Sequence, residues 1–479
     1  MYQRTNNYLR RFGERFDCVI RQGRCAVPRY WHRQKNRRAS YPANLLLLTL
    51  IAHPLLAQEK SAEPLKGINS RILAMSQAQQ QVPATPPKRS VTVSDAVSIF
   101  LQQNLQLVAA RYDIDLADAE KLTARLRPNP QLSFSSQDLP LDFSGNFIKQ
   151  PTYSYEISQT FELGGKRHKR IDEANANSEL ARAGFQMVVW QLTNDLKKKF
   201  YTVLLADSLH KLTTDNQKTF EEIIKHTTEL YQLGEIAGLD LRRLEVEKLK
   251  FDTDVADSER DYEIALRDLR FALGGDYRTM DMEVAGTLEY QPHQFSLDDL
   301  RDKSLAARPD LKVAQVSERA ADASIRLQDA QHIPDLTLGA GIAHVPLGTS
   351  TYIFDVGITL PWFDRNQGER AKALIQKRKA QNQQQLTTNQ VLSDVDKALV
   401  AFNIQKRRVE LFRTGVLTQV DEIQKLTEFS LKAGESSALE LRDAIRTRRE
   451  TLAAYYQTLF DYQVSLLDLE LATATPLQN

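Results

Sequence analysis

Two carboxylates three residues apart, Glu440 and Asp443, fall on one face of a predicted helix, where together they could draw a cation. Arg442 and Arg446 lie beside them, so a solvated and internally neutralised acidic pair is the competing reading. Other candidates carry less. His168, His210, His226, His293, His332 and His344 are scattered, without the short spacings of a metal site. Gly164-Gly165-Lys166 lacks the length and the closing Ser or Thr of a phosphate loop, and reads instead as a strand turning into a helix. No Ser-His-Asp set or paired-carboxylate motif supports hydrolysis. The chain is not expected to be an enzyme, to hold a metal or to need a cofactor.

The only cysteines, Cys18 and Cys25, lie in a leader that is expected to be removed. Residues 1–57 carry eleven basic residues, from Arg4 to Arg38, against Glu14 and Asp17. They end in an apolar run from Ala43 to Ala52, followed by Leu55-Leu56-Ala57. A run of that length fits a signal-peptide core and falls short of the roughly 20 residues that span a bilayer. Export is the expectation, with the translation start placed downstream of Met1. A mature chain without thiols would form no disulfide, and Cys25 lacks the apolar flank of a lipid-attachment site. Removing the leader's +9 turns the overall +2 into −7, which argues against nucleic acid as a partner. Residues 58–90, with Gln79-Gln80-Gln81 and Pro83, Pro86 and Pro87, read as a disordered linker.

The rest of the chain is written twice. At a constant shift of 204, Leu101 meets Leu305, Leu107 meets Leu311, Ala119 meets Ala323, Pro130 meets Pro334 and Leu132 meets Leu336. Glu156-Ile157 falls on Asp355-Val356 at a shift of 199. Gly234, Leu239 and Leu241 fall on Gly434, Leu439 and Leu441 at a shift of 200. A unit of roughly 200 residues is too long for a solenoid repeat and is a duplicated half-domain. The expected units are 91–290 and 291–474, each reading helix, strand, strand, long helix, helix, with 475–479 as a tail.

Strands are expected at about 130–138, 152–161, 334–344 and 352–361. Tyr153, Tyr155, Ile157 and Phe161 alternate with Thr152, Ser154, Glu156, Ser158 and Thr160, and Phe354, Val356, Ile358 and Leu360 alternate with Asp355, Gly357 and Thr359. Such runs have the length of tilted membrane strands, about 9 to 11 residues, although a small soluble sheet packed on helices shows the same alternation. Pro361-Trp362-Phe363 places aromatics where a barrel carries its interfacial girdle. Four strands cannot close, and a membrane forbids an open edge, so transmembrane strands would require an oligomer.

Long helices are expected at about 166–232, 238–272, 365–432 and 438–472. Phe185, Val189, Leu192, Leu196, Phe200 and Val203 keep the three-and-four spacing of a coiled-coil seam, as do Leu452, Tyr455, Leu459, Tyr462, Leu466 and Leu469. Each outgoing helix would run about 100 Å. The turns lie at Gly234 and Gly434. A periplasmic coiled-coil adaptor or scaffold outside any membrane would show the same seams, but would leave the leader and the repeated strand pair unexplained.

Over roughly Val91 to Ala474 the chain resembles the TolC family of outer-membrane channel proteins. The motifs that carry the likeness are Phe161-Glu162-Leu163-Gly164-Gly165-Lys166-Arg167, Arg308-Pro309-Asp310-Leu311, Pro361 through Gly368 and the Gly434 turn. The Gly-Gly-Lys-Arg form looks like the CzcC-like branch serving heavy-metal efflux. The resemblance implies a mainly α fold with a small membrane β part, in which a homotrimer closes a 12-strand barrel and its hairpins close a periplasmic tube. It implies a passive exit duct in outer-membrane lipid, working with a periplasmic adaptor and an inner-membrane RND pump. A drug-efflux or type I secretion duct of the same fold is the alternative. It further implies that Glu440 and Asp443 line the narrow end of the tube, that Gly234, Leu239, Gly434 and Leu439 form adaptor-facing tips, and that Trp362 and Phe363 sit at the membrane interface.

Overall fold

In the computed structural model, the residues described are 89–137, 151–234, 236–275, 282–346, 348–433 and 435–477. The leader with Cys18 and Cys25, the linker up to residue 88 and Gly434 lie outside them.

The first repeat begins one strand earlier than its sequence suggests. β1 (Arg89–Val91), at the end of the expected linker, pairs in parallel with β4 (Met282–Val284). Three residues beside a proline-rich stretch have no periodicity to read, so only the long-range ladder identifies them.

α1 (Val93–Gln103) starts at a capping box: Thr92 Oγ1 accepts from the Asp95 N–H at 3.3 Å, and the Asp95 carboxylate accepts from the Thr92 N–H at 3.2 Å. Asn104 then breaks the chain with an extended backbone, and its Oδ1 caps α2 (Leu105–Arg125) through the Gln106 and Leu107 N–H groups. In the second repeat Arg308 occupies the corresponding break between α5 (Leu297–Ala307) and α6 (Pro309–Gln331). There Pro309 forces the preceding residue to be extended and itself suits the first helical position.

β2 (Gln131–Gln137), β3 (Thr152–Phe161), β5 (Leu336–His344) and β6 (Ser350–Ile358) form one antiparallel sheet in the order β2-β3-β5-β6. Its register sorts the side chains by face. Leu132, Ile157, Ala340 and Phe354 lie in one row across the sheet, and Phe134, Tyr155, Ile342 and Tyr352 in the next. The opposite face carries rows such as Gln131, Ser158, Gly339 and Asp355. Among the described residues no layer covers the apolar face: Leu132 is 77% exposed, Tyr352 80% and Phe354 82%. A soluble sheet packed on helices is thereby excluded for these strands, since that arrangement would bury this face.

α3 (Lys166–Gln232) is one uninterrupted helix of 67 residues, and α4 (Gly238–Leu273) returns along it. The second outgoing helix differs from the expected continuous 365–432. α7 (Gln367–Leu411) meets a π-helical segment, Phe412–Val416, before α8 (Leu417–Lys432) continues, and α9 (Ala438–Thr473) returns. Within that segment Gly415 takes φ 156°, a conformation open to glycine, whereas Asp215 at the corresponding place in α3 stays helical.

Packing puts the helices in a layer four wide. Nearest the strands, α3 packs against α2 and α6, and α6 against α7; farther out, α3 packs against α4 and α9, and α9 against α7 and α8. α2 and α4 therefore share one edge, α7 and α8 the other. The main core gathers where upper and lower helices meet, around Phe100, Phe200, Leu269, Phe402, Tyr462 and Leu469. A smaller cluster of Phe220, Leu244, Phe251, Leu441 and Ile445 holds the two hairpins together nearer their tips.

Candidate functional site

Two regions carry the candidate site residues read from sequence, the hairpin tips and the rim where strands become helices; a third site lies at the junction where upper and lower helices meet.

At the first tip Gly234 closes α3 in the left-handed region, φ 78°, and its N–H donates to the Tyr231 carbonyl at 3.0 Å. Leu239 is exposed on the opening turn of α4, and Leu439 on that of α9. At the second tip the Ser430 carbonyl accepts from the Glu435 N–H at 2.9 Å, and Ser437 caps α9. Glu440 is the other half of that cap: its Oε2 accepts from the Ser437 N–H at 3.2 Å, while Ser437 Oγ accepts from the Glu440 N–H at 3.3 Å. Asp443 Oδ1 accepts from Arg442 at 2.8 and 3.2 Å. Both acids are exposed. The helix thus gives Glu440 a local structural role and Asp443 a cationic neighbour, beside any role in a lumen.

The junction holds the site that sequence reasoning missed. Asn104 and Arg308, related by the shift of 204, are both buried, and each reaches the last turn of the returning helix of its own repeat. Asn104 Nδ2 donates to the Ala272 carbonyl at 2.8 Å, and Arg308 Nη1 to the Ala472 carbonyl at 3.3 Å. Each side chain thus satisfies a helix-end carbonyl that has no partner within its helix. Arg308 also donates to Asp310 at 2.6 and 3.0 Å and to Asp394 at 3.2 Å, and it lies over the Trp190 ring at 5.2 Å. Close by, Gly274 takes φ 88° where any Cβ would collide with the Gln103 carbonyl. The repeat alignment was the signal available in the sequence, because it sets Asn104 on Arg308.

At the rim, Lys166 is buried and donates to Asp335 at 2.8 Å, tying the start of α3 to the entry of β5. Arg170 pairs with Glu162 at 2.5 and 3.0 Å and donates to the Ala124 and Leu126 carbonyls, which end α2. Gly164-Gly165-Lys166 is therefore a strand-to-helix turn clamped by its flanking charges. Trp362, 71% exposed, and Phe363, 92% exposed, follow β6. Among the described residues no group of three or more His, Cys, Asp or Glu is placed to hold a metal ion, and no helix is long and apolar enough to cross a membrane.

A sheet greasy on its exposed face, continued by a wall of long helices, is the architecture of an outer-membrane channel protein. The chain belongs to the Outer membrane efflux protein family, which matches residues 96–275 and 300–475. It is 24% identical over 381 residues to the cobalt-zinc-cadmium resistance protein CzcC of Cupriavidus metallidurans, covering 79% of this chain and 89% of that one. It is 25% identical over 304 residues to the nickel-cobalt-cadmium resistance protein NccC of Alcaligenes xylosoxydans, covering 62% and 66%. In fold it is similar to the crystal structure of CusC, with TM-score 0.66, 17% identity and coverage of 83% of this chain and 96% of that one. The Campylobacter jejuni CmeC outer membrane channel gives TM-score 0.67 at 15% identity, covering 80% and 85%.

Proposed function

We propose that three copies of this chain close a 12-strand barrel in the outer membrane and a helical tube below it, forming the exit duct of a tripartite efflux system. The observation that carries this reading is where the apolar surface lies. On the helices, large exposed apolar residues concentrate on the edges of the layer: Leu116 on α2 and Leu249 on α4 at one, Ile375 on α7 and Phe429 on α8 at the other. The inner helices α3, α6 and α9 expose only Tyr231 and Leu439, both beside the tips. Edges of this kind, like the edges of β2 and β6, which pair with no further strand among the described residues, are satisfied by further copies of the same layer. The duct conducts and performs no chemistry.

Within this reading, the tips Gly234, Leu239, Gly434 and Leu439 meet a periplasmic adaptor bound to an inner-membrane RND pump. Glu440 and Asp443 of three chains gather six carboxylates about the axis, favouring cations. Trp362 and Phe363 lie at the lipid interface. Divalent heavy-metal cations are the proposed cargo, supported by the metal-resistance relatives.

Cell fractionation tests the duct: a heat-modifiable trimer in outer-membrane extracts is the expected result, and recovery as a soluble periplasmic monomer defeats it. Metal-sensitivity profiling of a deletion strain beside antibiotics tests the cargo. Sensitivity to cobalt, zinc, cadmium or nickel is expected, and sensitivity confined to antibiotics removes the metal assignment.

A further inference from the structure

Charges at the rim between strands and helices are treated unevenly. Its carboxylates are mostly engaged within the chain. Glu162 is held by Arg170, Asp335 by Lys166 at 2.8 Å, Asp329 by Arg370 at 2.6 Å and Glu369 by Lys372 at 2.6 Å. Asp364 accepts the Asn366 N–H at 2.9 Å. Arg125, Arg127 and Arg365, by contrast, are exposed and have no carboxylate partner among the described residues. With Asp364 counted against them, these three arginines still leave unmatched positive charge among the described residues of the rim.

These arginines stand where the apolar surface ends. Arg127 follows exposed Leu126 shortly before β2, and Arg365 follows exposed Trp362 and Phe363 shortly after β6. β2 and β6 are the two edges of the sheet, so closing a barrel from several copies brings the Arg365 end of one chain beside the Arg127 end of the next. A guanidinium fork matches a phosphate, and an aromatic ring beside it suits the boundary between headgroup and acyl chain.

We propose that this rim binds anionic phospholipids, with Arg127 and Arg365 holding headgroup phosphates and Trp362 and Phe363 entering the acyl boundary. The inference rests on the membrane placement of the strands given under Proposed function. A basic residue at an anionic lipid surface is worth about fivefold in affinity. A partner protein would have no reason to follow the line where the lipid-facing surface stops.

Trp362 supplies the probe. In a full-length chain carrying Trp31→Phe and Trp190→Phe it is the sole tryptophan. Reconstituted in bilayers containing brominated phosphatidylglycerol or brominated phosphatidylcholine, its fluorescence quenching gives the relative affinity for each lipid. Phosphatidylglycerol is expected to be preferred, and inorganic phosphate not to compete. Arg127→Gln with Arg365→Gln should reduce that preference by up to about fivefold per arginine, while Arg127→Lys with Arg365→Lys keeps most of it. Equal affinity for the two lipids, or a preference that survives the double Gln change, overturns the lipid site alone. Failure of either brominated lipid to quench Trp362 overturns the membrane placement as well.

Discussion

The Asn104 side-chain amide donates to the Ala272 carbonyl at 2.8 Å, bridging the short upper helix and the end of the returning lower helix. Arg308 and Ala472 repeat the bond at 3.3 Å in the second half of the chain. The two halves make the same kind of contact, one through a neutral amide and the other through a guanidinium that also holds Asp310 and Asp394.

The two junctions should therefore fail unequally. Asn104→Ala loses a helix cap and one buried bond, a cost of about 1–2 kcal/mol. Arg308→Ala leaves two carboxylates without their cation in a partly buried place, for about 3–5 kcal/mol. Chemical denaturation followed by circular dichroism should rank Arg308→Ala as the more damaging. Equal losses would mean that the ionic part of the second junction adds nothing.

Because Glu440 caps α9, Glu440→Ala confounds loss of charge with loss of the cap. Glu440→Gln keeps a side-chain acceptor for the Ser437 N–H, as a capping box allows. Combined with Asp443→Asn, it should lower cation preference in planar bilayers without lowering helix content. Unchanged conductance and ion selectivity would remove both residues from the lumen.

Asp118 joins α2 to α3. Its carboxylate accepts from Lys121 and from Ser178 Oγ at 2.7 Å, with Arg182 at 2.9 Å. The Lys121 hydrogen bond, opposed by burial and aided by Ser178 and the charges of Lys121 and Arg182, holds its pKa down at about 2. In the unfolded chain the group titrates near 3.9. A depressed native pKa stabilises fully above about pH 4, and that contribution disappears as pH falls through 2. Asp118→Asn should be less stable than the parent at neutral pH, and the gap should narrow between about pH 4 and pH 2. A gap independent of pH would show that ionisation is not what the site contributes.

Edge packing can be separated from helix formation. Phe429→Glu on α8 or Leu249→Glu on α4 puts a charge on an exposed edge that a neighbouring copy is expected to cover. Heat-modifiable trimer should be lost on gels while far-UV circular dichroism is retained. Trimer of undiminished heat resistance would place these residues in solvent.

Local pattern carried much of the outline. Alternation in Tyr153–Phe161 and three-and-four spacing from Phe185 onward identify a strand and a coiled-coil helix, because period is a property of neighbours along the chain. The same logic fails at Arg89–Val91, whose partner strand lies near residue 283, and at Phe412–Val416, where one extra residue is accommodated within the helix. It also hid the second duty of Glu440, since Ser437 and Glu440 make a cap only if α9 starts between them.

Sequence by itself determined the duplication, the type of each main element, the two-faced character of the strands and the family likeness, all written in residue order and residue type. Tertiary structure alone decided that the apolar face of the sheet is left uncovered by the described residues, and that the exposed apolar side chains of the long helices gather on the edge helices α2, α4, α7 and α8. It also decided that Asn104 and Arg308 reach helix ends far away in the chain. Those relations depend on which segments become neighbours in space. That choice belongs to the packing of all the helices and strands together, because no single segment can bury its own apolar stripe or pair its own edge.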